Sequence, residues 1–192
     1  MCTTMPIKEM DFLKRMKDYY REEKINPRNY LLIITGINTA LRISDILALK
    51  WEDVYSFSRK TYREHISLRE HKTKKCNMVK INSALIDALD YYSVYYPVKK
   101  GVYLFLNNRI KSEHISRQQA WRIVKEAAAY AGSSDFIACH SMRKTLGYHA
   151  WRNGISPVLI MNMYNHSSFN VTQRYLGIEQ DEKDEIYKTI ML

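Results

Sequence analysis

The chain holds three cysteines in 192 residues, Cys2, Cys76 and Cys139. None forms a CxxC pair, and an odd number suits no disulfide framework. Reduced thiols in a cytosolic protein are the plain reading. Cys and His do not cluster at ligand spacings, which argues against zinc and predicts no metal site. There is no run of about 18 apolar residues, so no membrane-spanning helix is predicted. The opening, MCTTMPIKEMDFLKRM, lacks the apolar core of a signal peptide, and a cytoplasmic location is the expectation. Internal repeats, low-complexity tracts and linkers rich in Gly or Ser are all missing. The length therefore fits one globular domain, or a domain with a short tail.

What is present is positive charge and enough apolar residues for a core. The formal net charge is +10, the pI is near 9.4, and 46% of residues are hydrophobic. A balance this basic points to a polyanion, with nucleic acid the first candidate and an anionic membrane surface the second. Simple solubility is the plainer alternative.

Pattern along the chain predicts a mostly helical protein with one small antiparallel sheet, of α+β class. Residues 6–24 read as an amphipathic helix with Pro6 in its first turn. A second helix begins near Pro27; TG and INT interrupt its apolar run, and RISDILAL resumes as helix. EDVYSF, REHISLR and NMVKIN are short and rich in Val, Ile, Tyr and Thr, and read as strands. SALIDALDYYSVYY returns to helix and stops before Pro97. VYLFLNN is a short strand or an extended link. SRQQAWRIVKEAAAYAG reads as a helix with Ser116 as N-cap and Gly132 as C-cap. Helices dominate from there on. Trp51, Trp121 and Trp151 are expected in the core.

The chemistry concentrates in six residues. ALRISDILALKWEDV carries Arg42, HKTKKCNMVKIN carries Lys72, HSMRK carries His140 and Arg143, NHSS carries His166, and TQRYLG carries Tyr175. Any one block is a weak signal. Together and in this order, from about Tyr30 to Gly177, they resemble the tyrosine recombinases, also called the phage integrase family. The departures are local. Tyr164 and Asn165 stand where the family usually has Leu-Gly before the second His, and Asn tolerates the left-handed backbone that Gly would supply. Lys144 stands where a His often follows the second Arg.

The resemblance implies a double-stranded DNA substrate and site-specific cleavage and rejoining, whether as integration, excision or inversion. Tyr175 would be the nucleophile and leave a 3′-phosphotyrosyl link, which stores the bond energy without a high-energy cofactor. Arg42 and Arg143 would hold the non-bridging oxygens of the scissile phosphate with bidentate, permanently charged donors. His140 and Arg143, three apart on a helix, share a face. His140 is then a proton acceptor for Tyr175 or a further phosphate contact, and His166 a hydrogen-bond donor to a non-bridging oxygen. Lys72 matches the hairpin lysine that protonates the leaving 5′-oxygen, although Lys74 and Lys75 lie close by. These groups can neutralise the developing charge, so no metal or other cofactor is implied. Asp45, three residues after Arg42, is expected to orient it. Arg117, Arg122, Lys125, Lys144 and Arg152 are candidates for DNA phosphate contacts, with a solvated helix face as the alternative.

The same resemblance implies residues 1–178 as the catalytic domain and 179–192 as a tail that docks on a neighbouring protomer, within a tetramer on two DNA sites. Most family members carry an N-terminal DNA-clamping domain, whereas here the pattern begins almost at once. The chain is then a fragment or a compact recombinase, similar in this respect to the invertases that switch fimbrial genes. Two rivals remain: a type IB topoisomerase-like strand breaker, and a non-catalytic DNA-binding module of the same fold.

Overall fold

The computed structural model describes residues 4–132, 136–178, 184 and 186–190. The first helix, α1 (Met10–Asp18), starts four residues later than the sequence pattern suggests and runs into a π-helical turn, Tyr19–Glu23. Pro6 and Ile7 are buried but precede the helix. Their segment is committed elsewhere. The Ile7 amide donates to Thr145 Oγ1 (2.9 Å), and the Ile7 carbonyl accepts from His149 Nε2 (3.0 Å). Both bonds tie this segment to Thr145 and His149, ahead of α1.

α2 (Pro27–Thr39) is capped by the Asn26 side chain, which accepts from the Asn29 amide, with Pro27 at its first position. The helix runs without a break through the TG and INT segments expected to interrupt it. Leu31, Leu32 and Ile33 are all fully buried, so α2 is the central helix of the core. Gly36 is there for proximity: a Cβ on it would come within 2.6 Å of Met142 Sδ. Ala40, in left-handed conformation, ends α2, and Arg42 is the N-cap of α3 (Ile43–Leu47).

α4 (Trp51–Val54) occupies part of what reads as the strand EDVYSF. The Asp53 carboxylate accepts from the Lys50 amide (2.8 Å), which caps this short turn as helix. β1 (Tyr55–Ser56) pairs with β2 (Thr61–Tyr62), and β3 (His65–Arg69) with β4 (Cys76–Lys80), both antiparallel. The one expected sheet is thus two separate two-stranded ribbons among the described residues. The β3–β4 register sets His65 opposite Lys80 and Arg69 opposite Cys76, which leaves residues 70–75 as the hairpin loop.

α5 (Ser83–Tyr95) ends before Pro97, and residues 97–116 form an extended link with isolated bridges at Tyr103 and Leu106. α6 (Arg117–Tyr130) has Ser116 in a capping box with Gln119, and Gly132 follows its end at φ +92°. α7 (Cys139–Arg152), α8 (Pro157–Met163) and α9 (Phe169–Leu176) complete the described helices that bear on the site. Residues 186–189 are also helical.

The main core joins α1, α2, α5 and α6, and a smaller cluster of Tyr148, Ile160, Tyr164, Leu176 and Ile178 lies between α7, α8 and α9. Trp51 is buried and Trp151 half-buried, but Trp121 is 48% exposed. Ala120, Val124 and Ala127 form the inward stripe of α6, and position 121 falls off it. No helix among the described residues is long and apolar enough to cross a membrane. The architecture is therefore α+β, mostly helical with small antiparallel ribbons.

Candidate active site

Two guanidiniums enter the site from different elements. Arg42 is the N-cap of α3, with extended backbone, and its largely buried side chain pairs with Glu70. Arg143 projects from the first half of α7 and is buried. Its Nη2 donates to the Tyr164 carbonyl (3.4 Å), and its Cζ lies 5.1 Å from the centre of the Tyr164 ring. Its Nε and Nη1 are buried and make no hydrogen bond among the described residues. Buried donors are normally satisfied, so these two nitrogens stand out as lacking an acceptor among the described residues.

His166 and Tyr175 face the arginines from the α8–α9 side. The His166 and Tyr175 rings meet edge to face with centroids 5.1 Å apart, and Tyr164 packs against both, at 5.2 Å from His166 and 5.3 Å from Tyr175. Asn165 takes the left-handed conformation (φ +57°), as the sequence suggests for a residue in place of Gly. That turn lets the His166 amide reach the Met161 carbonyl (3.1 Å) and brings His166 Nδ1 to 3.1 Å from Thr172 Oγ1 on α9.

Electrostatics link all six residues. Burial raises the Tyr175 phenol above its ordinary value, while Arg143 and then Arg42 draw it back down. Burial lowers the His166 imidazole, and Arg143 and Arg42 lower it further. His140 is lowered by partial burial first, then by Arg143, Lys144, Arg42 and Lys72. Burial also lowers Arg143, although a guanidinium stays charged at any ordinary pH. Both histidines are therefore biased toward the neutral form at neutral pH. Lys72 is exposed on the loop between β3 and β4, and its charge acts weakly on His140. Burial pushes the thiol of Cys139, next to His140, up to about 11, so it is held in the neutral form at neutral pH.

Asp45 does not orient Arg42. Its Oδ1 accepts from the His71 amide (2.9 Å), and its Oδ2 makes no hydrogen bond among the described residues. The carboxylate paired with Arg42 is Glu70, buried at the base of the hairpin loop. Glu70 also accepts from Thr73 Oγ1 (2.7 Å) and Asn77 Nδ2 (3.0 Å). Burial alone would raise its carboxyl, but these three partners outweigh that and hold it below the usual range. Sequence reasoning missed Glu70 because it sits 28 positions from Arg42. Its only signal was an acid beside the HKTKK run.

Lys144 is also misplaced by the sequence reading. It is 4% exposed and cannot contact a DNA phosphate from the surface. Its Nζ donates to the Thr4 carbonyl and lies 5.1 Å from the centre of the Tyr175 ring. Arg117, Arg122 and Arg152 are exposed and Lys125 is half-buried.

Residues 7–182 match the phage integrase family. The chain belongs to that family. It is 38% identical over 183 residues to the "Probable integrase/recombinase YoeC" of Bacillus subtilis strain 168, which covers 95% of this chain and 94% of YoeC. It is 28% identical to the tyrosine recombinase XerA of Pyrococcus furiosus over 86% of this chain, but spans only 55% of that longer protein. The fold is similar to a crystal structure of XerA recombinase, with a TM-score of 0.74 over 97% of this chain and 64% of the other at 20% identity. It is also similar to XerH site-specific recombinase bound to its palindromic difH substrate after cleavage, with a TM-score of 0.72 over 92% of this chain and 49% of that one at 21% identity. The catalytic domains of phage integrase relatives thus share this helical frame with its small ribbons.

Proposed function

We propose that this member of the phage integrase family cleaves and rejoins double-stranded DNA at specific sites through a phosphotyrosine intermediate. The observation that carries the reading is the two buried Arg143 nitrogens, Nε and Nη1, that make no hydrogen bond among the described residues, beside a phenol whose titration both Arg143 and Arg42 influence. Two oriented guanidiniums next to a nucleophilic oxygen suit a phosphodiester and its transition state. The net charge of +10 suits the same substrate. XerH, a relative in fold, is known bound to its DNA.

In the reaction, Tyr175 Oη attacks the phosphorus as its proton passes to neutral His140. The bond from phosphorus to the 5′-oxygen breaks, and that oxygen takes a proton from Lys72, leaving a 5′-hydroxyl and a 3′-phosphotyrosine. Arg42 and Arg143 hold the non-bridging oxygens. For neutral His166 to donate to one of them through Nε2, its Nδ1 must accept the Thr172 hydroxyl proton (3.1 Å), in place of the longer bond from that hydroxyl to the Ser168 carbonyl (3.4 Å). Religation reverses each transfer with a new 5′-hydroxyl. Each tyrosine cuts one strand, so exchange between two duplexes takes four protomers, and the outcome is integration, excision or inversion. We assign residues 1–178 to catalysis and 179–192 to a tail that docks on a neighbouring protomer. Residues 179–183, 185 and 191–192 of that tail lie outside the described residues, and Ile186, Tyr187 and Ile190 are exposed. The cytoplasm, where the DNA is, is the proposed location.

The test is covalent selection. The chain is incubated with a randomised pool of nicked duplexes that trap the adduct, and the captured strands are sequenced. A defined cleaved site, lost with Tyr175→Phe, is expected. DNA binding without adducts would leave only a non-catalytic binding module, and supercoil relaxation without strand exchange would favour a topoisomerase-like enzyme.

A further inference from the structure

Lys72 and Arg42 each depend on something else for their position. Among the described residues the exposed Lys72 ammonium has no partner, so it goes where its loop goes. Among the described residues Arg42 is held through Nη1, by Glu70. The same Glu70 oxygen, Oε2, accepts from Thr73, the residue next to Lys72. The other oxygen takes Asn77 at the start of β4. The Glu70 amide donates to the Lys75 carbonyl (3.0 Å) and its carbonyl accepts from the Lys74 amide (2.9 Å), which closes the loop around the carboxylate. Glu70 is 1% exposed, and a carboxylate so buried is stable only with its donors in place. A two-stranded ribbon is by itself marginal, so these bonds rather than the ladder fix where the loop stands.

We propose that Glu70 is a positioning residue that latches the loop carrying Lys72 to the guanidinium of Arg42, so that the phosphate clamp and the proton donor are presented as one unit. The inference rests on the proposed strand-cleavage reading. Because Oε2 is shared, loss of the Thr73 arm frees the loop while Arg42 keeps its partner. Loss of the carboxylate charge releases both.

Two variants and two DNAs separate these arms, using the site recovered in the covalent selection. One duplex is the ordinary phosphodiester. The other carries sulfur in place of the bridging 5′-oxygen, and its thiolate leaves without needing a proton, so a fault in delivering the Lys72 proton disappears on it. Thr73→Val is expected to cleave the ordinary duplex about 10- to 100-fold more slowly, the scale of an ångström-sized misplacement, and the sulfur duplex at the wild-type rate. Glu70→Gln is expected to be slow on both, and slower on the ordinary one. The latch is overturned if Thr73→Val cleaves ordinary DNA at the wild-type rate, or is equally slow on both duplexes. Should Glu70→Gln fail to fold, Thr73→Val decides alone. Failure of the underlying reading looks different: the unaltered chain then captures no strand from the pool.

Discussion

The phenolic hydroxyl of Tyr164 donates to the Arg143 carbonyl at 2.7 Å and accepts from the Gly147 amide at 3.0 Å. One side chain from the loop before His166 thus pins the helix that carries Arg143. The approach exists because residue 147 has no side chain: a Cβ there would meet the Tyr164 oxygen at 2.4 Å. Tyr164, where the family usually has Leu, and Gly147 are therefore one compensating pair.

Gly147→Ala should destabilise the fold by about 1–3 kcal/mol through overpacking. Tyr164→Phe should cost a similar amount, about 1–3 kcal/mol, by leaving buried backbone groups short of a partner. Tyr164→Leu in the Gly147→Ala background should recover part of the Gly147→Ala loss. Urea denaturation of the variants checks all three.

Asn165 sits at φ +57°, where a side chain beyond Asn or Gly is strained. Asn165→Gly should leave stability within a few tenths of a kcal/mol of the original, whereas Asn165→Val should cost about 1–2 kcal/mol. Thermal melting distinguishes them.

The helices were legible where periodicity agrees with a proline or a cap, as at Pro27, Ser116 and Pro97. The pattern misled where long-range bonds overrule it. Ile7 gives its backbone to α7, Gly36 continues a helix so that Met142 can cross closely, and Asp53 caps a turn that reads as strand. The six chemical residues stood out because their types and order are unusual; Arg42 and Arg143 act electrostatically on His140, His166 and Tyr175, and Lys72 acts on His140. Glu70 and the burial of Lys144 were not legible, since both depend on partners distant in sequence.

Thr172→Val should slow strand cleavage with little change in DNA affinity, because it removes the hydroxyl that sets the His166 ring while leaving the arginines untouched. The loss should not exceed that of His166→Ala, on the order of 10²-fold for one hydrogen-bond donor to a developing charge. Single-turnover cleavage rates at saturating DNA check this.

His140 and His166 are both lowered from the ordinary value of 6.5, by burial first and Arg143 next. The unfolded chain then binds protons more readily than the folded one, so their stabilising contribution is present above pH 6.5 and is lost as pH falls through the folded values. Melting temperature should drop between pH 7.5 and pH 5 at fixed ionic strength, and the His140→Gln, His166→Gln double variant should flatten that part of the curve. The acid limb of the cleavage rate should lie below pH 6.5 for the same reason.

The most direct measurement is the identity of the residue bonded to DNA. The trapped adduct is digested with protease and nuclease, and the peptide that retains a nucleotide is sequenced by mass spectrometry. The account predicts a single modified peptide with the phosphate on Tyr175, joined to the 3′ end of the cut strand. A nucleotide on any other of the 15 tyrosines, or a 5′ linkage, would contradict it.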